Sequence, residues 1–176
     1  MFKMPKFAPR AGAASLLMLL WVLAAGPAAA QWSDASTPAL ADATPSHGVS
    51  WADFDLDGDL DIYLANNGVN KLFRNGGEDP GNPGQWLWAN VAPVNGTGIG
   101  SSQVSSVGVW GDYDNDGDPD LYLSNTQGAN HLFRNDPVNP GLPDDPNRAF
   151  VDVTNSLVLG STRATHSAAW VDYDND

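Results

Sequence analysis

Residues 53–61 read DFDLDGDLD, and residues 112–120 read DYDNDGDPD. Each stretch sets five aspartates on alternate positions around a single glycine. Carboxylates this close raise one another's pKa and oppose folding unless something neutralises them. Hard oxygen donors on a tight loop suit calcium, which takes about 6–8 oxygens at roughly 2.3–2.6 Å and tolerates irregular geometry. In the first loop the expected ligands are the carboxylates of Asp53, Asp55, Asp57 and Asp61 and the backbone carbonyl of Asp59, with Gly58 permitting the sharp turn. The second loop maps onto it residue by residue: Asp112, Asp114, Asp116 and Asp120, the carbonyl of Asp118, and the turn at Gly117. Pro119 biases Asp118 toward extended backbone, which suits the strand-like DLYL that follows. Asp172, Asp174 and Asp176 open a third copy.

Rival chemistries fit less well. An EF-hand also starts D-x-D-x-D-G but needs a bidentate Glu at position twelve. That position is Leu64 in one loop and Leu123 in the other, each in a strand-like run. Magnesium demands a stricter octahedron and keeps its waters. Zinc would lack His and Cys ligands here. The sequence has no nucleophile elbow and no phosphate-cradling glycine loop. Paired carboxylates are the tools of a glycosidase, but general acid catalysis needs one carboxyl of raised pKa in a pocket, and these sit in a ligand-spaced loop.

The elements around the loops repeat. Trp51 to Trp110 spans 59 residues and Trp110 to Trp170 spans 60. Such a period marks supersecondary units stacked or arranged radially. Each unit reads as four short strands, rich in aromatic and β-branched residues and punctuated by Gly, Asn, Asp and Pro. In the first they fall near 48–52, 61–65, 71–74 and 88–91. In the second they fall near 107–111, 120–124, 131–134 and 150–153. GGEDPGNPGQ after Asn75 and DPVNPGLPDDPN after Asn135 read as surface loops, and NNGVN and NTQGAN as matched turns. No segment after residue 30 has a convincing helical period. The expected fold is all-β, built of four-stranded antiparallel β-propeller blades, with repeats at about 48–105, 106–166 and from 167 onward. Propellers have about 4–8 blades. Two blades cannot close a ring and the third motif stops short, so a longer protein is expected.

Other recurring residues take structural roles. Trp51, Trp110 and Trp170 stand two positions before the first aspartate of each loop and are expected to pack blade on blade. His47 and His166 precede those tryptophans by four residues and read as hydrogen-bonded structural groups. Arg74 and Arg134, each within LFRN, are expected to bond loop carbonyls or carboxylates. Asn95-Gly96-Thr97 is a glycosylation sequon.

WADFDLDGDLDIYLANNG and VWGDYDNDGDPDLYLSNTQG resemble the FG-GAP/VCBS repeats of integrin-α-type β-propellers. LFRN…FVDVTNSLVLG, followed by THSAAWVDYDND, resembles more closely the secreted cartilage-acidic-protein and ASPIC/UnbV group. The FG-GAP tetrapeptide itself is absent; GVSW and GVW stand near its place. The resemblance implies a seven-bladed propeller with calcium in the hairpin between the first two strands of a blade. It also implies binding or adhesion rather than catalysis. The partner class would be an extracellular protein or glycan. The alternative is a propeller-fold polysaccharide lyase or hydrolase, with calcium in support and the active site on other blades.

Bulk properties agree with export. Lys3, Lys6 and Arg10 precede an apolar run, 11–25, and Ala28-Ala29-Ala30, so residues 1–30 read as a secretory signal peptide cleaved before Gln31. The mature part, 31–176, contains nothing that would cross a membrane as a helix, and the expected location is extracellular or periplasmic. Cysteine is absent, so disulfides do not staple the fold. The formal net charge is −13, and all three bases named above lie in the leader. Acidity of that degree argues against nucleic-acid partners. It is also local: the three loops hold thirteen of the twenty-one acids.

Overall fold

The apolar runs that flank each aspartate loop form the strands expected of them. The computed structural model describes residues 38–93, 98–141, 147–157 and 163–171, all within one unit, Ala35–Asp176. The first sheet comprises β1 (Ser46–Ala52), β2 (Asp61–Asn66), β3 (Lys71–Glu78) and β4 (Trp86–Asn90). The second comprises β5 (Ser105–Gly111), β6 (Asp120–Asn125), β7 (His131–Pro137) and β8 (Arg148–Asp152). Each is antiparallel throughout, with strands in sequence order, as in a propeller blade. Short helical turns at Pro38–Leu40, Gly98–Gly100 and Thr154–Leu157 complete the described secondary structure. No helix among the described residues is long and apolar enough to cross a membrane. The leader, the sequon and Asp172, Asp174 and Asp176 lie outside the described residues.

The registers of the two sheets match. Trp51 pairs with Ile62 and Ile62 with Phe73; Trp110 pairs with Leu121 and Leu121 with Phe133. The third strand of each blade outruns its expected length. β3 continues through a bulge between Asn75 and Glu78, and Glu78 still pairs with Trp86. The glycines that read as loop are what allow this. Gly77 takes φ 76°, a left-handed value that costs glycine little, and its N–H donates to Asn75 Oδ1 at 3.1 Å.

Successive side chains on a strand face opposite ways, so Tyr63 and Trp51 lie on opposite faces of the first sheet. Tyr63 meets Trp110 of the second sheet edge-on at 6.1 Å, and Trp110 meets Phe150 at 6.1 Å. Phe54, just inside the first loop, packs against Phe150 at 5.9 Å. With Leu72, Ile99, Leu121, Leu123 and Phe133, these form the core between the blades. Gly108 makes the approach possible: a Cβ there would stand 2.7 Å from the Tyr63 ring. Trp170 opens the third repeat by donating from Nε1 to Val109 O at 3.1 Å, its ring lying against Gly111. Trp110 and Trp170 thus pack repeat on repeat, whereas Trp51 is 54% exposed on the outer face of the first blade.

A second, polar seam joins the repeats. Asn70 Oδ1 accepts the N–H of Asn66, and Asn70 Nδ2 donates to Ser105 Oγ at 2.9 Å. Ser105 Oγ donates onward to Asn125 Oδ1 at 2.7 Å. Asn130 repeats the arrangement, accepting from Asn125 N–H and donating to Thr165 Oγ1 at 2.8 Å. His47 Nδ1 donates to Ser105 O at 2.9 Å, and Ser106 Oγ, at the equivalent place, donates to Thr165 O at 2.6 Å. Buried asparagines are tolerable only when satisfied in this way.

Candidate metal centre

Both aspartate loops lie in the hairpin between the first two strands of a blade, and both fold by the same local rules. Asp53 accepts the N–H groups of Asp57 and Gly58 at 3.0 Å each. Asp112 accepts those of Asp116 and Gly117 at 3.1 and 2.9 Å. Asp57 Oδ1 and Asp116 Oδ1 each cap the N–H two residues on, at 3.0 Å. The fourth position takes a left-handed backbone in both, φ 59° at Leu56 and 63° at Asn115, and the glycine at position six takes φ 96° in both.

The last aspartate of each motif anchors the loop to the sheet. Asp61 accepts Phe54 N–H at 3.1 Å and Asn75 N–H at 2.8 Å. Asp120 accepts Tyr113 N–H at 3.0 Å and Asn135 N–H at 2.8 Å. Burial pushes the Asp61 carboxyl up to about 7 and that of Asp120 up to about 6, against the pull of those backbone donors.

In the first loop Asp53, Asp55 and Asp61 each offer a carboxylate oxygen within 4.8 Å of the others; in the second, Asp112, Asp114 and Asp116 do so. Ligands on opposite sides of one calcium stand up to about 5 Å apart, so both groups fit a single cation. Asp57 is not part of the first group nor Asp120 of the second. Asp118 points its carboxylate at Arg148 Nη1, 2.7 Å away, which leaves its carbonyl as the atom available to a ligand. Asp59 is likewise placed by its N–H bond to Asp57.

Asp55 carries the sharpest signal. It is 1% exposed, and neither of its carboxylate oxygens accepts a hydrogen bond. Its nearest cation is Arg74, with Nε 3.7 Å from Oδ2, too long for a hydrogen bond. Burial, then the Asp57 carboxylate, raises its pKa, with Arg74 pulling the other way. A buried carboxylate left without donors is costly, and a hard cation between Asp53, Asp55 and Asp61 would satisfy it. Those residues would hold the ion, and the ion would supply the missing positive charge. The donor set is oxygen throughout.

The residue before Asp55 is covered by the next blade. Phe54 is 3% exposed beneath Phe150, and Asn135 Nδ2 donates to Phe54 O at 2.7 Å while also reaching Pro119 O at 3.1 Å. One amide thus ties the first loop to the second. The sequence shows Asn75 and Asn135 as equivalents in LFRN but gives no sign of this span of 81 positions.

Paired four-stranded blades, each with an oxygen-rich acidic hairpin at the same corner, define a β-propeller repeat protein. The chain belongs to the FG-GAP-like repeat family, whose model matches residues 53–123 and 112–176. Each match begins on the first aspartate of a loop. No curated protein matches the chain.

Proposed function

We propose that each aspartate loop holds one calcium ion as a structural element, and that the protein is an exported propeller acting as a binding or adhesion scaffold. The observation that carries the metal reading is the buried, donor-free carboxylate of Asp55 beside Asp53 and Asp61. Calcium is favoured because every available donor is oxygen and the loop is irregular. A scaffold is favoured over an enzyme because the two carboxyls of most raised pKa commit both oxygens to backbone amides. Neither is placed to pass a proton to a substrate. The LFRN…FVDVTNSLVLG run supports a place in the cartilage-acidic-protein and ASPIC/UnbV group, with an extracellular protein or glycan as partner. The basic and apolar pattern of residues 1–30 supports export.

Calcium that binds only the folded form stabilises it by about 2.7 kcal/mol per site at a hundredfold excess over Kd. Metal-stripped protein is therefore expected to melt at lower temperature and to recover on adding Ca²⁺. An unchanged melting curve, with no heat of Ca²⁺ binding at millimolar concentration, overturns the metal reading. For the scaffold reading the readout is binding to immobilised glycans and matrix proteins with product analysis. Stoichiometric capture without cleavage is expected, and a depolymerised glycan would make the protein an enzyme.

A further inference from the structure

The two loops share sequence, backbone and anchoring bonds, but the arginines beside them do different things. Arg134 is locked in a two-pronged bond to Asp136, with Nε–Oδ1 at 2.8 Å and Nη2–Oδ2 at 2.9 Å. Asp136 raises the already high pKa of that guanidinium. In the first blade the place of Asp136 is taken by Gly76. With no carboxylate beside it on the strand, Arg74 leans on Asp55 at 3.7 Å. Its side chain is 38% exposed while that of Asp55 is fully buried.

That contact has an unusual character. The guanidinium lies close enough to offset part of the charge, yet too far to hydrogen-bond, so it leaves both oxygens' lone pairs unoccupied. A half-exposed arginine can leave toward solvent; the buried carboxylate cannot.

We propose that Arg74 is the resident counter-cation of the first loop, which an incoming divalent ion must push aside, so the two loops fill as unequal sites. This rests on the metal reading above. Metal-free, Arg74 covers the charge of Asp55; when the ion arrives, Arg74 and the ion repel one another and the guanidinium turns outward. The first site thus takes the ion in exchange for an internal cation, whereas at the second the arginine already has its own carboxylate, Asp136, in a two-pronged bond. A single glycine-for-aspartate difference on the third strand sets which behaviour a loop has.

The test is calorimetric Ca²⁺ titration of the intact protein in an Asp116→Ala background, which leaves the first loop to be read alone. Arg74→Gln is expected to tighten that site about tenfold. It is also expected to lower the Tm of metal-free protein, because a buried carboxylate then loses its only cation, while the Ca²⁺-loaded Tm holds. Gly76→Asp is the second variant. A Cβ there meets only Leu87, at ordinary contact of 3.4 Å, and the new carboxylate should draw Arg74 away as Asp136 draws Arg134. It too should tighten the first site, with the arginine still present. Arg134→Gln, with the first loop disabled by Asp53→Ala, should move the second site by less than twofold. If the unmutated protein binds Ca²⁺ but Arg74→Gln binds it equally or more weakly, the displacement idea is wrong and the metal reading stands. If the unmutated protein binds none, both fall.

Discussion

The two aspartate loops behave as one loop written twice, and their surroundings do not. Residues 53–61 and 112–120 reproduce each other's turns to within a few degrees of φ at positions four and six. Yet the second aspartate is buried at Asp55, where another blade follows, and exposed at Asp114, where the described residues include no third blade. The comparison separates two sources of structure. Alternating aspartates and a glycine settle the local backbone by capping their own amides. The neighbouring blade covers the residue before Asp55, through Phe150 and Asn135, and one residue on the third strand sets which carboxylate the nearby arginine meets.

The comparison can be broken most forcefully at Phe54. Phe54→Ala removes the ring that seats the first loop under the second blade and is expected to cost about 3–5 kcal/mol in denaturant unfolding. Tyr113→Ala, at the same place in the second loop and half-buried among the described residues, should cost less. Equal losses would mean that the neighbouring blade is not what distinguishes the loops.

The pH dependence of metal-free protein comes next. Asp61 and Asp120 bind protons more tightly folded, at about 7 and about 6, than unfolded, near 3.8. The stability they contribute is present in full below pH about 4 and is lost as pH rises through about 6 and then 7. Unfolding followed from pH 4 to 8 should show that decline. Asp61→Asn should make the decline shallower and end it near pH 6, and Asp120→Asn should make it shallower between about pH 4 and 6 while it still runs to about 7. Saturating Ca²⁺, which favours the ionised loop, should flatten it.

A smaller effect sharpens the same contrast at the equivalent asparagines. Asn135→Ala loses the bond that spans both loops and leaves Phe54 O without that donor, an expected cost of about 1–3 kcal/mol. Asn75→Ala loses a weaker contact, 3.3 Å to Leu60 O, with its bond from Gly77 N–H, and should cost about 1 kcal/mol. Smallest is the fourth loop position. A left-handed leucine is strained by about 1 kcal/mol, and asparagine tolerates that region better. Leu56→Asn is thus expected to raise Tm slightly, and Asn115→Leu to lower it.

Much of this was legible in the sequence. Strand order, blade pairing and the two loops follow from alternation, from punctuation by Gly and Asn, and from the 59-residue repeat. The bond between the first loop and the second blade was not legible, because DFDLD and DYDND look alike and the partner of Phe54 O lies 81 positions away, at Asn135. The glycine-to-aspartate change after LFRN was visible as letters, but its meaning needs the direction in which the arginine leans. Asn70 and Asn130 read as turn formers; propensity explains their place, but their amides also bridge neighbouring repeats.

That bridging means the building block of this fold is offset from the motif that reveals it. Asn70 is completed by Ser105 and Asn130 by Thr165, each the opening hydroxyl of the following unit. A module excised from Trp110 to Trp170 keeps Asn130 with Thr165 but begins inside β5 and loses the bond from Ser106 to Thr165 O. A graft that begins upstream of its tryptophan and runs on through the next unit's opening hydroxyl would keep its closing seam intact, so splice sites for swapping these units belong just after Ser105 or Thr165.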